Sequence, residues 1–198
     1  MDTVAPTDSM LLDAWATGDG DAGNQFIERH FGLVYRFFSN KVGHADIEDL
    51  VQQTFLACLE ARQRCESQAK FRTFLLGIAR NHLFSYYRNR HREPSGIMPT
   101  SVRDERTSPT GAIAKLEDQR LLQEALRLLP LDAQVVLELA YCEGMRGAEI
   151  AGVLGVAANA VHVRLHRARE SLRETLRELA PDRVAIAEHA QRLLARDP

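Results

Sequence analysis

The chain has 198 residues, enough for one large domain or two small ones. Its 45% hydrophobic and 26% charged content is that of an ordinary soluble globular protein. A formal net charge of −2 argues against a protein that coats nucleic acid indiscriminately, and no uncharged apolar run reaches the roughly 18 residues that span a bilayer.

The charge is uneven. Residues 1–49 hold nine acidic and three basic side chains. Arg80, Arg88, Arg90 and Arg92 form one basic patch, and Arg164, Arg167, Arg169 and Arg173 form another. Two patches on a nearly neutral chain suggest two separate contacts with nucleic acid. Cys58, Cys65 and Cys142 are odd in number and lack a Cys-x-x-Cys pair. That favours buried free thiols in a reducing compartment over a disulfide framework or zinc site. The acidic N-terminus lacks the basic start of a signal peptide, so a cytoplasmic location is expected.

In chain order, the first predicted helix covers residues 9–17 and stops at Gly18-Asp19-Gly20. Asp21 is expected to cap a second helix to about Asn40, with Phe26, His30, Val34, Phe37 and Phe38 on its apolar stripe. Gly43 breaks the chain. Asp46 then reads as the cap of a third helix to about Arg64, with Glu48 and Asp49 favourable near its positive end. Leu50, Val51, Phe55 and Leu56 are expected inward, and Glu48, Asp49, Gln52 and Gln53 outward. A solvated acidic helix and a partner surface both fit this pattern.

After a polar connection over 64–70, a fourth helix spans about 71–90, with Phe74, Leu75, Ile78, Ala79, Leu83, Tyr86 and Tyr87 on its apolar side. It interleaves aromatics with arginines. Rings stack on unpaired bases and guanidinium groups hold phosphates, yet helix aromatics also build cores and terminal arginines complement the helix dipole. Composition leaves both readings open. From about residue 91 the chain turns rich in Pro, Ser, Thr and Gly, and residues 93–112 read as a linker.

Helical pattern resumes at about Ala114 and stops at Pro130. A helix from Asp132 as cap runs to about Glu143, and the Gly144–Gly147 turn leads into Glu149–Arg169. This last stretch has the pattern of a helix-turn-helix. Ala151 is small where two helices cross, Gly155 supplies a positive φ, and Val161, Leu165, Ala168 and Leu172 share an inward stripe. Asn159, His162, Val163, His166 and Arg167 fall outward, where bases are read, with Arg164, Arg169 and Arg173 on the flanks, where phosphates sit. The bland alternative is a solvated basic face on a helical hairpin. The helix runs to about Leu179, and residues 181–198 read as a C-terminal extension, an amphipathic helix or frayed tail. No segment reads as a convincing strand. The expected fold is all-α, with two small helical domains over 8–92 and 113–180.

Several segments occur in an order that resembles a known family. They are Asp46-x-Glu-Asp-Leu-Val-Gln-Gln-Thr-Phe55, Phe71-Arg-Thr-Phe-Leu-x-x-Ile-Ala-Arg-Asn81, Leu128-Leu-Pro130, Glu149-Ile-Ala-x-x-Leu-Gly155 and Val161-x-x-Arg-Leu-His-Arg-Ala-Arg169. Together they resemble bacterial RNA polymerase sigma factors of the sigma-70 family, in the compact extracytoplasmic-function (ECF) group. The resemblance covers about residues 8–178. It implies an initiation subunit with no cofactor and no catalytic chemistry of its own.

By that resemblance, Asp46, Glu48, Asp49, Gln52 and Gln53 would dock on the clamp helices of the polymerase β′ subunit, with Asp49 and Gln53 foremost. Phe71, Arg72, Phe74, Arg80, Asn81 and Arg88 would recognise and open the −10 element. Asn159, His162, Val163, Arg164, His166, Arg167 and Arg169 would read the −35 duplex, beside the β flap. The linker would thread the polymerase channel, and an anti-sigma factor is an expected partner. Three departures from the family pattern stand out. Phe74 takes a position usually held by Trp, Asn159-Ala-Val-His-Val-Arg164 replaces the usual Gly-Thr-Val-x-Ser-Arg, and the chain continues past Pro181. Asn159 could cap the recognition helix. The seven histidines are too scattered for a metal-ligand set. The runner-up is a stand-alone helix-turn-helix regulator with a helical sensor or dimerisation module.

Overall fold

The protein is described by a computed structural model over residues 5–65, 70–92 and 113–179. Eight α-helices and no strand occur among the described residues. The predicted linker and the C-terminal extension lie outside them.

Helix α1 (Asp8–Ala16) is capped by Thr7, whose side chain accepts from the Met10 amide at 3.3 Å. The buried Asp8 carboxylate accepts from Arg29 Nη1 at 2.7 Å and lies 2.9 Å from His30 Nε2, which ties α1 to the next helix. Helix α2 (Gly20–Ser39) starts from Asp19, not Asp21. Asp19 leaves the preceding turn in an extended conformation, so its carboxylate meets the Ala22 amide at 3.1 Å. Asp21 falls in the first turn, where it still complements the helix dipole. Gly23 lets α1 approach closely: a Cβ there would lie 2.7 Å from the Trp15 indole.

Helix α3 (His44–Glu60) begins three residues earlier than expected. Gly43 occupies the cap without a side-chain bond, and Asp46 lies in the first turn. The helix closes at Glu60, and Arg62–Arg64 form a short 3₁₀ turn. Helix α4 (Phe71–Arg92) turns Phe71, Leu75, Ala79 and Leu83 inward. In this group α2 packs on α1, α3 and α4, and α3 packs on α4. Phe26 sits fully buried, with ring centroids 5.0 Å from His30, 5.5 Å from Phe71, 5.9 Å from Phe55 and 6.2 Å from Trp15. Aromatic edges set against ring faces add to ordinary apolar burial.

Helix α5 (Ile113–Leu128) ends at the Leu129-Pro130 turn. Pro130, rather than Asp132, holds the cap position of α6 (Leu131–Leu137). Its fixed φ suits helix entry, and it needs no amide proton there. Gln134 Nε2 donates to the Leu129 and Arg127 carbonyls at 2.8 and 3.3 Å, satisfying groups that the end of α5 leaves open. Helix α6 widens into a π-turn over Glu138–Cys142. Helix α7 (Gly147–Leu154) leads into α8 (Ala158–Leu179), which packs against α5 and α6. Among the cysteines only Cys58 is fully buried; Cys65 is half-buried and Cys142 exposed, against the expectation of three buried thiols. Burial pushes the Cys58 thiol up to about 12, so it stays protonated and packs as a small apolar group.

Candidate nucleic-acid interface

The start of α7 is fixed by Glu149, whose carboxylate accepts from the Arg146 amide at 2.8 Å. This is the reaching-back half of a capping box. The helix ends at Gly155, whose φ of +66° lies in the left-handed region that side chains resist. The axis then bends by 93° into α8. That angle matches the 90–120° range of helix-turn-helix units.

Helix α8 separates two faces. Val161, Leu165, Ala168, Leu172 and Leu176 are buried. Asn159, His162, Val163, Arg164, His166 and Arg167 are exposed. From Asn159 to Arg167 the helix advances about 12 Å, close to the width of the major groove. Val163 sits central to this face and is 51% exposed, an apolar tip among polar neighbours. Asn159 lies inside the first turn, because α8 already begins at Ala158; it does not cap the helix.

Arg169, expected on the phosphate flank, is instead held within the protein. Its Nε donates to the Tyr141 hydroxyl at 2.6 Å, and its guanidinium lies 5.6 Å from that ring's centroid. It braces α8 against the π-turn. Arg173 pairs with Glu170. Arg164 and Arg167 are the exposed arginines of the first half of α8, and in the second half the exposed Arg177 stands between the exposed Glu174 and Glu178.

On α4 the expected set divides. Phe74, Asn81 and Arg88 recur at seven-residue spacing and share one stripe, half-buried at Phe74 and exposed at Asn81 and Arg88. Arg80 flanks the stripe, its guanidinium 4.5 Å over the Phe84 ring. Phe71, expected at DNA, is 3% exposed and sits against Phe26 and His30 at 5.5 and 5.1 Å. It is a core ring, because α2 and α3 converge on the first turn of α4. The half-buried Arg72 starts the helix on the side opposite the stripe. Burial lowers the His82 pKa, which favours its neutral form.

On α3, Glu48, Asp49, Gln52 and Gln53 are exposed, and Gln53 Nε2 donates to Asp49 Oδ2 at 2.6 Å. Leu56, expected inward, is 49% exposed and joins this face. The core side of α3 is already filled by Leu50, Val51, Phe55 and Cys58. Asp46 stands at the edge of this face, three and seven residues before Asp49 and Gln53, but its carboxylate is engaged by α4. Its Oδ2 accepts from the Tyr86 hydroxyl at 2.7 Å and from Arg90 Nη1 at 3.2 Å. Sequence reasoning missed Leu56, Tyr86 and Tyr141 in these roles; each depends on contacts between helices.

Among the described residues, no group of three or more His, Cys, Asp or Glu side chains could hold a metal ion, and no single helix is long and apolar enough to cross a membrane.

Residues 26–93 match sigma-70 region 2, and residues 119–172 match sigma-70 region 4. The RNA polymerase sigma factor CarQ of Myxococcus xanthus is 30% identical over 172 residues, which cover 85% of this chain and 97% of CarQ. The chain belongs to the sigma-70 family of RNA polymerase sigma factors. Its place is in the ECF group: the ECF sigma factor SigL of Mycobacterium tuberculosis is 32% identical over 159 residues, covering 79% of this chain and 89% of SigL. CnrH, solved in complex with the cytosolic domain of CnrY, superposes with a TM-score of 0.59 at 28% identity, covering 85% of this chain and 96% of that one. The fold is also that of RpoE from Bartonella quintana, at a TM-score of 0.62 and 24% identity over 78% of this chain and 96% of that one.

This sigma factor therefore acts in promoter-specific transcription initiation by RNA polymerase. Matches in both halves of the chain displace the stand-alone regulator. Sigma factors are not known as catalytic enzymes.

Proposed function

We propose that three separate faces divide the work of this sigma factor. The exposed face of α3, with Glu48, Asp49, Gln52 and Gln53 around Leu56, docks on the clamp helices of the polymerase β′ subunit. An apolar side chain ringed by polar ones is the usual make-up of an interface centre. The Phe74–Asn81–Arg88 stripe of α4, flanked by Arg80, engages the −10 element as it opens: rings and amides suit unstacked bases, and guanidinium groups suit phosphates. The first half of α8 reads the −35 duplex, near the β flap. Residues 8–92 and 113–180 are the two working modules and 93–112 their tether. The protein works in the cytoplasm, without catalysis of its own.

The observation that carries this reading is α8, where a buried apolar stripe backs about 12 Å of exposed amide, imidazole, isopropyl and guanidinium groups just after a sharp bend. CnrH was solved in complex with the cytosolic domain of CnrY, and the Bartonella RpoE in complex with the anti-sigma factor NepR. An anti-sigma factor that covers the same faces would hold this chain inactive.

Run-off transcription with core polymerase tests the assignment. Promoter-specific transcripts should require this chain. Tight sequence-specific duplex binding by the chain alone, with no effect on core polymerase, would overturn it.

A further inference from the structure

Asp46 opens the motif that supplies the docking face, yet its carboxylate points to α4. Three bonds join the start of α3 and the turn before it to the last turns of α4. Asp46 Oδ2 accepts from Tyr86 and from Arg90, and Tyr87 donates its hydroxyl proton to the Lys41 carbonyl. Arg90 also donates to the Tyr86 hydroxyl, and its guanidinium lies 5.3 Å from that ring's centroid. The far side is anchored in turn: Lys41 is buried, donates to the Phe37 carbonyl at 2.5 Å and sits 4.5 Å over the Phe37 ring. Burial and the Asp46 carboxylate push the Tyr86 phenol up to about 12, so it remains a proton donor at any physiological pH.

Position gives this cluster its meaning. Tyr86 and Arg90 bracket Arg88 by two residues on either side, and Asp46 precedes Glu48 and Asp49 by two and three. The cluster thus links the helix turn that presents Arg88 to the first turn of the docking helix. We propose that Asp46, Tyr86 and Arg90 form a latch through which α3 sets the C-terminal end of α4, making Asp46 a positioning residue for promoter opening and not a docking residue for the polymerase. This rests on the assignment of α3 and α4 made above.

The test uses the full chain assembled with core polymerase, on a promoter selected by the wild-type holoenzyme from a random-sequence library. Core affinity is measured by fluorescence anisotropy, and opening by 2-aminopurine fluorescence in the −10 segment. D46A and Y86F should each reduce opening roughly five- to twenty-fold, while core affinity stays within about twofold. The double variant should be no worse than D46A, because both changes break one unit. Y86F keeps the ring and removes only the hydroxyl, which guards against a folding defect in D46A. Unchanged opening in Y86F would overturn the latch. So would a loss of core affinity of about tenfold or more in D46A alone, or a deficit that disappears below the variant's melting temperature. If the wild-type chain directs no opening with core polymerase, the assignment of α3 and α4 fails instead, and the two failures are distinct.

Discussion

Phe71 separates a core role from a DNA role most sharply. Its ring is 3% exposed, meets Phe26 edge-on at 5.5 Å and lies 5.1 Å from His30 and 6.2 Å from Phe74. Replacement by Ala removes a fully buried ring and costs about 3–5 kcal/mol. A helical unit of this size has roughly 4–13 kcal/mol of stability, so Phe71→Ala removes a large share of it and unfolds the unit outright at the low end of that range. Phe71→Leu is the more informative variant. It keeps most of the volume and loses the edge-to-face geometry, for about 1–2.5 kcal/mol. At about 4–8 °C per kcal/mol, the midpoint should fall by roughly 4–20 °C. Trp15 is the only tryptophan in the chain and its ring lies 6.2 Å from that of Phe26, so its fluorescence reports on this cluster and not on α5–α8. Well below its own midpoint, Phe71→Leu should open promoters as the wild type does. A variant with an unchanged Trp15 melting curve and a lost opening step would refute the core assignment and return the ring to the DNA.

Three other outcomes follow from the same geometry. Asp49→Arg places a cation in the exposed face of α3 and should weaken core binding by roughly tenfold or more with unchanged far-UV circular dichroism; unchanged affinity would remove Asp49 from the docking face. Val163 is exposed on the face assigned to the −35 duplex; if its methyl groups meet a thymine there, exchange of that thymine for uracil should weaken wild-type holoenzyme by about 1 kcal/mol and leave Val163→Ala indifferent, and if no position behaves so, Val163 reads no thymine methyl. Glu149→Ala loses the bond to the Arg146 amide and should cost α5–α8 about 0.5–2 kcal/mol, seen as an earlier helical melt with the Trp15 transition unmoved.

Helix periodicity was legible because each of these helices buries a single stripe. Phe26, Val34, Phe37 and Phe38 on α2, and Val161, Leu165, Ala168 and Leu172 on α8, are buried where spacing places them. The positive φ of Gly155 was also readable, since the turn demands it. Caps were less so. Asp19 and Asp21 are chemically equal, and only the path of the turn makes Asp19 the acceptor. Residues at the edge of a stripe were the hardest. Leu56 and Phe71 differ little in apolar character, but one is left outside by α3's filled core side and the other is enclosed where α2, α3 and α4 meet. Asp46 and Arg169 look like surface charges until their tyrosine partners, 40 and 28 residues away, are in place.

With Arg169 engaged by Tyr141, the first half of α8 presents Arg164 and Arg167 as its exposed arginines. That sets the character of its affinity. Neutralising about two phosphates gives a slope of log K on log salt near −1.8. Between 50 and 200 mM salt, the chain alone should then lose only about tenfold in duplex affinity, from a weak starting value. A self-sufficient DNA-binding protein with six to ten phosphate contacts loses about a thousandfold or more over the same range. Titration of a −35 duplex with the isolated chain at several salt concentrations measures this directly. Arg164→Ala or Arg167→Ala should reduce the slope by about one if the side chain meets a phosphate, and should flatten sequence preference by about 1–3 kcal/mol if it reads a base. A slope near −6 for the wild-type chain would mean that a broader basic surface binds DNA, and that α8 is only part of it. A shallow slope instead makes α8 a selector: binding strength comes from the polymerase held by α3, and the few exposed groups of α8 decide where that strength is applied.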